Sequence, residues 1–323
     1  MNNQLLFLTI KGYDPDGGAQ FEDWRISYQV FGKKLGTAPV ILVNHALTGN
    51  SDLASETKGW WRAIIGPDKL LNTNRFSIIG FNIPGNGYDD QLISNYKSFT
   101  ARDIARVFNH ALEQLGVKEL FAAIGGSLGG GIAWEQAVLR PNFINYLIPV
   151  ASDWKASDWI IGHNYIQDAI LQNSNAPLEQ ARMMAMLFYR TPASLSAKFN
   201  RTKVEGSEEF NVASWLQHHG DKLNRRFALE AYQLMNHLLT TVDVSKGKIS
   251  FNEAVKNLKS TIIQVAVDSD FFFAAEENRQ TKVVLDEIGI SNEYHEISSI
   301  HGHDAFLIEA KQITNILTPI FKN

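Results

Sequence analysis

Leu120-Phe121-Ala122-Ala123-Ile124-Gly125-Gly126-Ser127-Leu128-Gly129-Gly130-Gly131-Ile132 is the stretch on which the reading of the whole chain turns. Residues 120–125 form a short, almost wholly apolar run, of the kind that makes a strand buried on both faces of a parallel sheet. A helical pattern follows. Between the two, Gly125-x-Ser127-x-Gly129 has the nucleophile-elbow spacing, with a serine at a sharp strand-to-helix turn. The flanking positions must be small, because the backbone there is strained and a side chain would collide with neighbouring backbone. The following helix would direct its N-terminal amides and positive dipole end at a developing oxyanion. A glycine-rich phosphate loop is the competing reading. No Walker lysine follows, however, and Gly125, Gly126 and Gly129 only loosely approximate G-x-G-x-x-G.

Similar apolar runs recur at residues 38–44, 75–81, 146–150 and 261–267, with two further strand-like segments at 5–10 and 25–31. Helical patterns lie between them. The clearest covers 101–115, where Ile104, Val107, Phe108, Ala111, Leu112 and Leu115 recur at helical spacing, Thr100 with Asp103 reads as a capping box and Gly116 closes the helix. This alternation predicts an α/β fold with a mostly parallel central sheet flanked by helices. Residues 152–246 break it. They hold no strand pattern but do hold helical ones, at 178–189 and 225–239. The expected organisation is a core made of residues 1–151 and 247–323, with 152–246 inserted as a helical lid that excludes water and shapes the pocket. The plainer alternative for the insertion is packing bulk.

Composition narrows the function. The chain has 323 residues, 45% hydrophobic and 20% charged, which is ordinary globular composition. Its net charge of -4, from 30 basic and 34 acidic residues, gives no basic surplus for nucleic acid. The absence of cysteine excludes disulfides, thiolate zinc sites and cysteine nucleophiles. The apolar N-terminal patch lacks a basic n-region and a small-residue cleavage site, so it reads as a strand. No apolar stretch approaches the ~20 residues that span a bilayer. The expectation is a cytoplasmic protein without a membrane partner.

An elbow serine in this kind of sheet is followed along the chain by an acid and then a histidine. Val265-Ala266-Val267-Asp268-Ser269-Asp270 ends a late strand, and Asp268 and Asp270 compete; Asp270 is preferred because it lies further into the loop. Glu293-Tyr294-His295-Glu296-Ile297 is the last strand, and the loop after it carries both His301 and His303. His303 is preferred, because it begins the final helix pattern. The expected triad is Ser127, Asp270 and His303. The oxyanion hole would take the amide of Leu128 and, from the loop Asn44-His45-Ala46-Leu47-Thr48-Gly49-Asn50, that of Leu47. His45 is assigned a structural role. His163, His218, His219 and His237 fall in the insertion, and the adjacent pair 218–219 faces different ways on a helix, so no metal site is expected.

Several segments together resemble the homoserine O-acetyltransferase family of the α/β-hydrolase fold. They are His45-Ala46-Leu47-Thr48-Gly49, Gly59-Trp60-Trp61 with Ile65-Gly66-Pro67, Gly125-Gly126-Ser127-Leu128-Gly129-Gly130, Ala181-Arg182-Met183-Met184-Ala185-Met186 with Tyr189-Arg190, Lys198-Phe199, Ser269-Asp270, and Gly302-His303-Asp304-Ala305-Phe306-Leu307. The resemblance implies ping-pong acyl transfer in methionine biosynthesis, with acyl-CoA (acetyl-CoA foremost) as co-substrate and no bound cofactor. It further implies an acyl-Ser127 intermediate, homoserine or a similar hydroxy amino acid as acceptor, and a homodimer. By the same resemblance Asp304 pairs with the acceptor ammonium and Thr48 lines the pocket. Two departures stand out. The family usually has a lid arginine shortly before an Ala-Ile pair to hold the acceptor carboxylate, whereas Asn164-Tyr165-Ile166-Gln167-Asp168-Ala169-Ile170 has none. An unpaired carboxylate in a dry pocket costs several kcal/mol, so another cation serves or the acceptor differs. Arg182 and Arg190 are near in sequence. In addition, Asn82-Ile83-Pro84-Gly85-Asn86-Gly87-Tyr88 replaces a longer glycine- and serine-rich loop. The competing functions are a serine esterase or thioesterase using water as acceptor, and a non-catalytic binding protein of the same fold.

Overall fold

The apolar runs become neighbouring strands of one sheet. In the computed structural model, which describes residues 4–13, 15 and 21–322, the strands are β1 (Leu6–Tyr13), β2 (Phe21–Gly32), β3 (Val40–Asn44), β4 (Ser77–Phe81), β5 (Leu120–Gly126), β6 (Ile144–Val150), β7 (Thr261–Val267) and β8 (Asn292–Ile297). Their order across the sheet is β1-β2-β4-β3-β5-β6-β7-β8. β2 runs antiparallel to both of its neighbours, and the pairings from β4 to β8 are parallel. β3 and β4 are buried at every position, which accounts for their unbroken apolar runs: helices cover both faces. The register puts Asn44 opposite Gly125, Gly126 opposite Val150, and Val150 opposite Val265. The carboxyl ends of β3, β5, β6 and β7 therefore come out along one edge, where open α/β sheets place their sites.

On one face lie α1 (Ala101–Gln114) and α2 (Leu128–Leu139). α1 has the capping box its sequence announces: the Thr100 side chain accepts from the Asp103 amide, and the Asp103 carboxylate accepts from the Thr100 amide. Ile104, Val107, Phe108 and Leu112 are fully buried beneath it, each stabilising the fold by about 1.5–3 kcal/mol.

Between β6 and β7 the chain forms α3 (Asp158–Asn173), α4 (Pro177–Tyr189), α5 (Pro192–Phe199), α6 (Asn211–Asn224) and α7 (Leu229–Thr240). The helix expected over 225–239 starts four residues late. Arg225 caps α6, and a turn leads to α7 with no glycine or proline to mark it. The root of this insertion is tied on itself and on the core. Ala156 N donates to Val242 O at 2.8 Å and Val244 N to Trp154 O at 3.2 Å. Arg102 pairs with buried Glu135 at 2.7 Å and donates to the carbonyls of Asp243 and Lys246. After α8 (Phe251–Val255) and β7 come α9 (Ala275–Glu287), the single turn α10 (Ala305–Ile308) and α11 (Ala310–Phe321). Ile313, Leu317 and Phe321 of α11, with Trp61 and Phe306, cover the other face of the sheet. Among the described residues no helix is long and apolar enough to cross a membrane.

Candidate active site

Ser127 stands between β5 and α2 with φ 55° and ψ −127°, a conformation costing on the order of 1–3 kcal/mol in a residue with a side chain. The fold around it enforces this. The Ser127 amide donates to Val150 O at 3.0 Å. A Cβ on Gly125 would come 2.3 Å from the Gly129 carbonyl, and one on Gly129 would come 2.3 Å from Asn44 O. The elbow glycines are thus demanded by close approach of β5, α2 and β3.

The loops after β7 and β8 bring the acid and the imidazole to the same place. His303 Nε2 lies 2.9 Å from Ser127 Oγ, and its Nδ1 lies 2.7 Å from Asp270 Oδ2. The other oxygen of Asp270 accepts from the amides of Phe272 and Phe273 at 2.7 and 3.0 Å. An ionised carboxylate only accepts, so the ring proton sits on Nδ1 and leaves Nε2 open to the serine hydroxyl. The competing residues go elsewhere. Asp268 is exposed and accepts from Ser298 Oγ and the Ser299 amide, tying two loops together. His301 turns to Arg190 and Ser194.

Aromatic rings surround His303, with centroids 5.1 Å away for Phe272, 5.3 Å for Tyr189, 5.4 Å for Phe306 and 5.7 Å for the stacked Phe273. This cage buries the imidazole and, through the stacked Phe273, sets one ring face against it. It draws on three separate segments, so no local pattern betrays it; the run Phe271-Phe272-Phe273 after the acid is its one visible trace.

A cavity of about 60 Å³ opens beside Ser127 Oγ, lined by Leu47, Thr48, Arg182, Tyr189, His303 and Asp304 among others. The amides of Leu47 and Leu128 have no acceptor among the described residues, and that of Leu128 lies in the first turn of α2. His45 is buried. Its Nε2 accepts from the Ile83 amide at 3.0 Å and its Nδ1 lies 2.8 Å from Ala46 O. Burial pulls its pKa down to about 4, so it is a neutral brace between the β3 and β4 loops. His163 packs between Phe188 and Phe272, and His237 Nε2 donates to Phe99 O.

Charge in the cavity comes from two residues. Burial pushes the Asp304 carboxyl up, against Arg182, His303 and Arg190, which favour its ionised form. Arg182, near in sequence to the expected lid arginine, is a functional candidate by its position in the cavity. Its guanidinium lines the cavity, 5.6 Å from the Tyr189 ring centre, with no hydrogen bond or ion pair to it among the described residues. Gln167, in the stretch that lacks a lid arginine, is buried and donates to Ala181 O at 3.0 Å, fastening α3 to the residue before Arg182.

The chain matches the alpha/beta hydrolase fold family over residues 39–279. The homoserine O-acetyltransferase of Cyclobacterium marinum is 31% identical to it, over 98% of this chain and 95% of that protein. Among solved structures, the homoserine O-acetyltransferase of Bacillus anthracis superposes with a TM-score of 0.87 at 19% identity, covering 97% of each chain. Esterase E22 does so with a TM-score of 0.85 at 17% identity, covering 97% of this chain and 99% of the other. At such identities the superpositions speak for the fold alone.

Proposed function

The chain belongs to the homoserine O-acetyltransferase family of the α/β-hydrolase fold, and on that footing we propose that it is an acyl-CoA-dependent O-acyltransferase working through an acyl-Ser127 intermediate. Ser127 Oγ attacks the thioester carbonyl while its proton passes to His303 Nε2, and Asp270 holds the imidazolium in place. The amides of Leu47 and Leu128 take the oxyanion. The C–S bond breaks, CoA leaves with the proton from His303, and the acyl group stays on Ser127. An acceptor hydroxyl then gives its proton to His303, attacks the acyl carbon and departs as the ester, and Ser127 Oγ recovers the proton. The insertion acts as the lid that keeps water from the acyl-enzyme.

The observation carrying the choice of acceptor is the pair of opposite charges lining one small cavity, Arg182 and Asp304. A zwitterionic hydroxy amino acid, homoserine foremost, matches it: Asp304 takes the ammonium, Arg182 the carboxylate, and Thr48 lines the wall. The same triad with water as acceptor is a serine esterase or thioesterase, and this is the second reading. Free-thiol release from acetyl-CoA separates the two. Transfer predicts sustained release only when homoserine is present; sustained release that ignores homoserine would favour the hydrolase.

A further inference from the structure

Asp304 is the sole acidic side chain among those lining the cavity beside Ser127, and it is already engaged: Arg190 Nη1 lies 3.5 Å from its Oδ2. Arg190 reaches it from outside. It caps the C-terminus of α4, and two further groups grip its guanidinium. Its Nε and Nη2 donate to Ser194 Oγ at 3.1 and 2.8 Å, and Nη2 also lies 3.1 Å from His301 Nδ1. Ser194 Oγ lies 3.0 Å from the same nitrogen. A guanidinium only donates, so His301 Nδ1 accepts from Arg190 Nη2, and the Ser194 hydroxyl that accepts from the guanidinium still has its own hydrogen to give. Beside this fork, Thr191 Oγ1 accepts from the Ser194 amide at 3.0 Å and donates to Ile300 O. The α4–α5 junction thus grips the loop that carries His303 and Asp304.

An ammonium group binds strongly only to an ionised carboxylate. Burial works against ionisation of Asp304, while Arg182, Arg190 and His303 are the cationic or titratable groups that support it, with Tyr189 packed nearby. Arg182 sits over the Tyr189 ring, has no hydrogen bond or ion pair among the described residues and is available to an anionic substrate group. Arg190 is immobilised by the fork, so it remains as the fixed counter-charge.

We propose that Arg190 is the acceptor-specificity residue of this enzyme, a positioning residue that, held by Ser194 and His301, fixes the Asp304 carboxylate for the ammonium group of an amino acceptor. Selection of that acceptor then depends on the contact between the helical insertion and the histidine loop. This rests on the reading of Asp304 given under Proposed function, and Arg190 takes no part in proton transfer.

The test compares Arg190→Gln, Arg190→Lys and Asp304→Asn with the parent enzyme, using acetyl-CoA and homoserine from mildly acidic to mildly alkaline pH. Arg190→Gln is expected to raise the homoserine KM about tenfold or more, the scale of one lost charge-assisted contact, and by several times the change in the acetyl-CoA KM. The excess grows as pH falls, because the carboxylate has lost a cation that opposed its protonation. Arg190→Lys recovers part of the loss, since it restores the charge but not the fork. A merely structural role would move both KM values together, leave the homoserine KM flat with pH and gain nothing from lysine; that pattern overturns the proposal. If Asp304→Asn leaves the homoserine KM unchanged, the reading of Asp304 falls and the proposal with it. If Asp304→Asn raises it and Arg190→Gln does not, the Arg190 assignment alone falls. Should Arg190→Gln not fold, Ser194→Ala replaces it: loosening the guanidinium must raise the homoserine KM more than the acetyl-CoA KM, and an equal change in both counts against the proposal.

Discussion

The strand-end edge of the sheet and the helical insertion face the same cavity, and they furnish it differently. The sheet edge supplies backbone geometry: a serine at positive φ, two amides without acceptors among the described residues, and a carboxylate and an imidazole set by the loops after β7 and β8. These groups are placed by strand register and close backbone approach. The insertion supplies long side chains, Arg182 into the cavity and Arg190 onto Asp304, whose positions depend on helix packing and side-chain forks. Under the proposed function the difference teaches a division of labour: the sheet edge carries the chemistry of acyl transfer and the ammonium contact of Asp304, and the insertion adds the cations that complete the acceptor site. Substitutions in the triad at the edge should abolish both half-reactions, and substitutions in the insertion should split them.

The largest expected effect is at the edge. Asp270→Asn keeps the amides of Phe272 and Phe273 satisfied but lets His303 adopt the wrong tautomer, and should lower kcat about 10⁴-fold, measured with either acceptor. A loss confined to homoserine turnover would break the comparison. Next comes Arg182→Ala, expected to raise the homoserine KM roughly 10–100-fold, the worth of a charge-assisted contact, with a far smaller change for acetyl-CoA in steady-state kinetics. Equal effects would move Arg182 out of the acceptor site.

The smallest effect concerns the root of the insertion. Asp153 follows β6, accepts from the Trp154 amide and the Thr281 hydroxyl, and is driven by burial up to about 7. An unfolded aspartate ionises near about 4, so folding takes up a proton between those values. This group's contribution is therefore fully present at acid pH and is lost as pH rises through about 7. Asp153→Asn should raise Tm by a few degrees at mildly alkaline pH, with the gain vanishing toward acid pH. A gain independent of pH, by calorimetry, would reject the buried-charge account.

How much of this was legible follows the same division. Strands β3 to β7, the capping box of α1 and the elbow glycines are written in contiguous residues, because parallel strands, helix caps and close backbone approaches make local demands. Asp270, which the structure places 2.7 Å from His303, differs from Asp268 in the sequence by its distance past β7. The aromatic cage, the cavity that Arg182 and Asp304 share and the fork from Arg190 to His301 join segments far apart in the chain, and no spacing rule links such segments. The junction at Arg225–Leu229 was missed for a plainer reason: it turns without glycine or proline, and its apolar residues run on in helical phase.

Acylation of the elbow serine is the most direct test of the central claim. Protein mixed with acetyl-CoA in the absence of acceptor should gain one acetyl group by intact mass, mapped by peptide sequencing to Ser127 and absent from Ser127→Ala, and homoserine should discharge it. Homoserine acetylation that proceeds undiminished in Ser127→Ala, with no adduct at that position, would contradict the account.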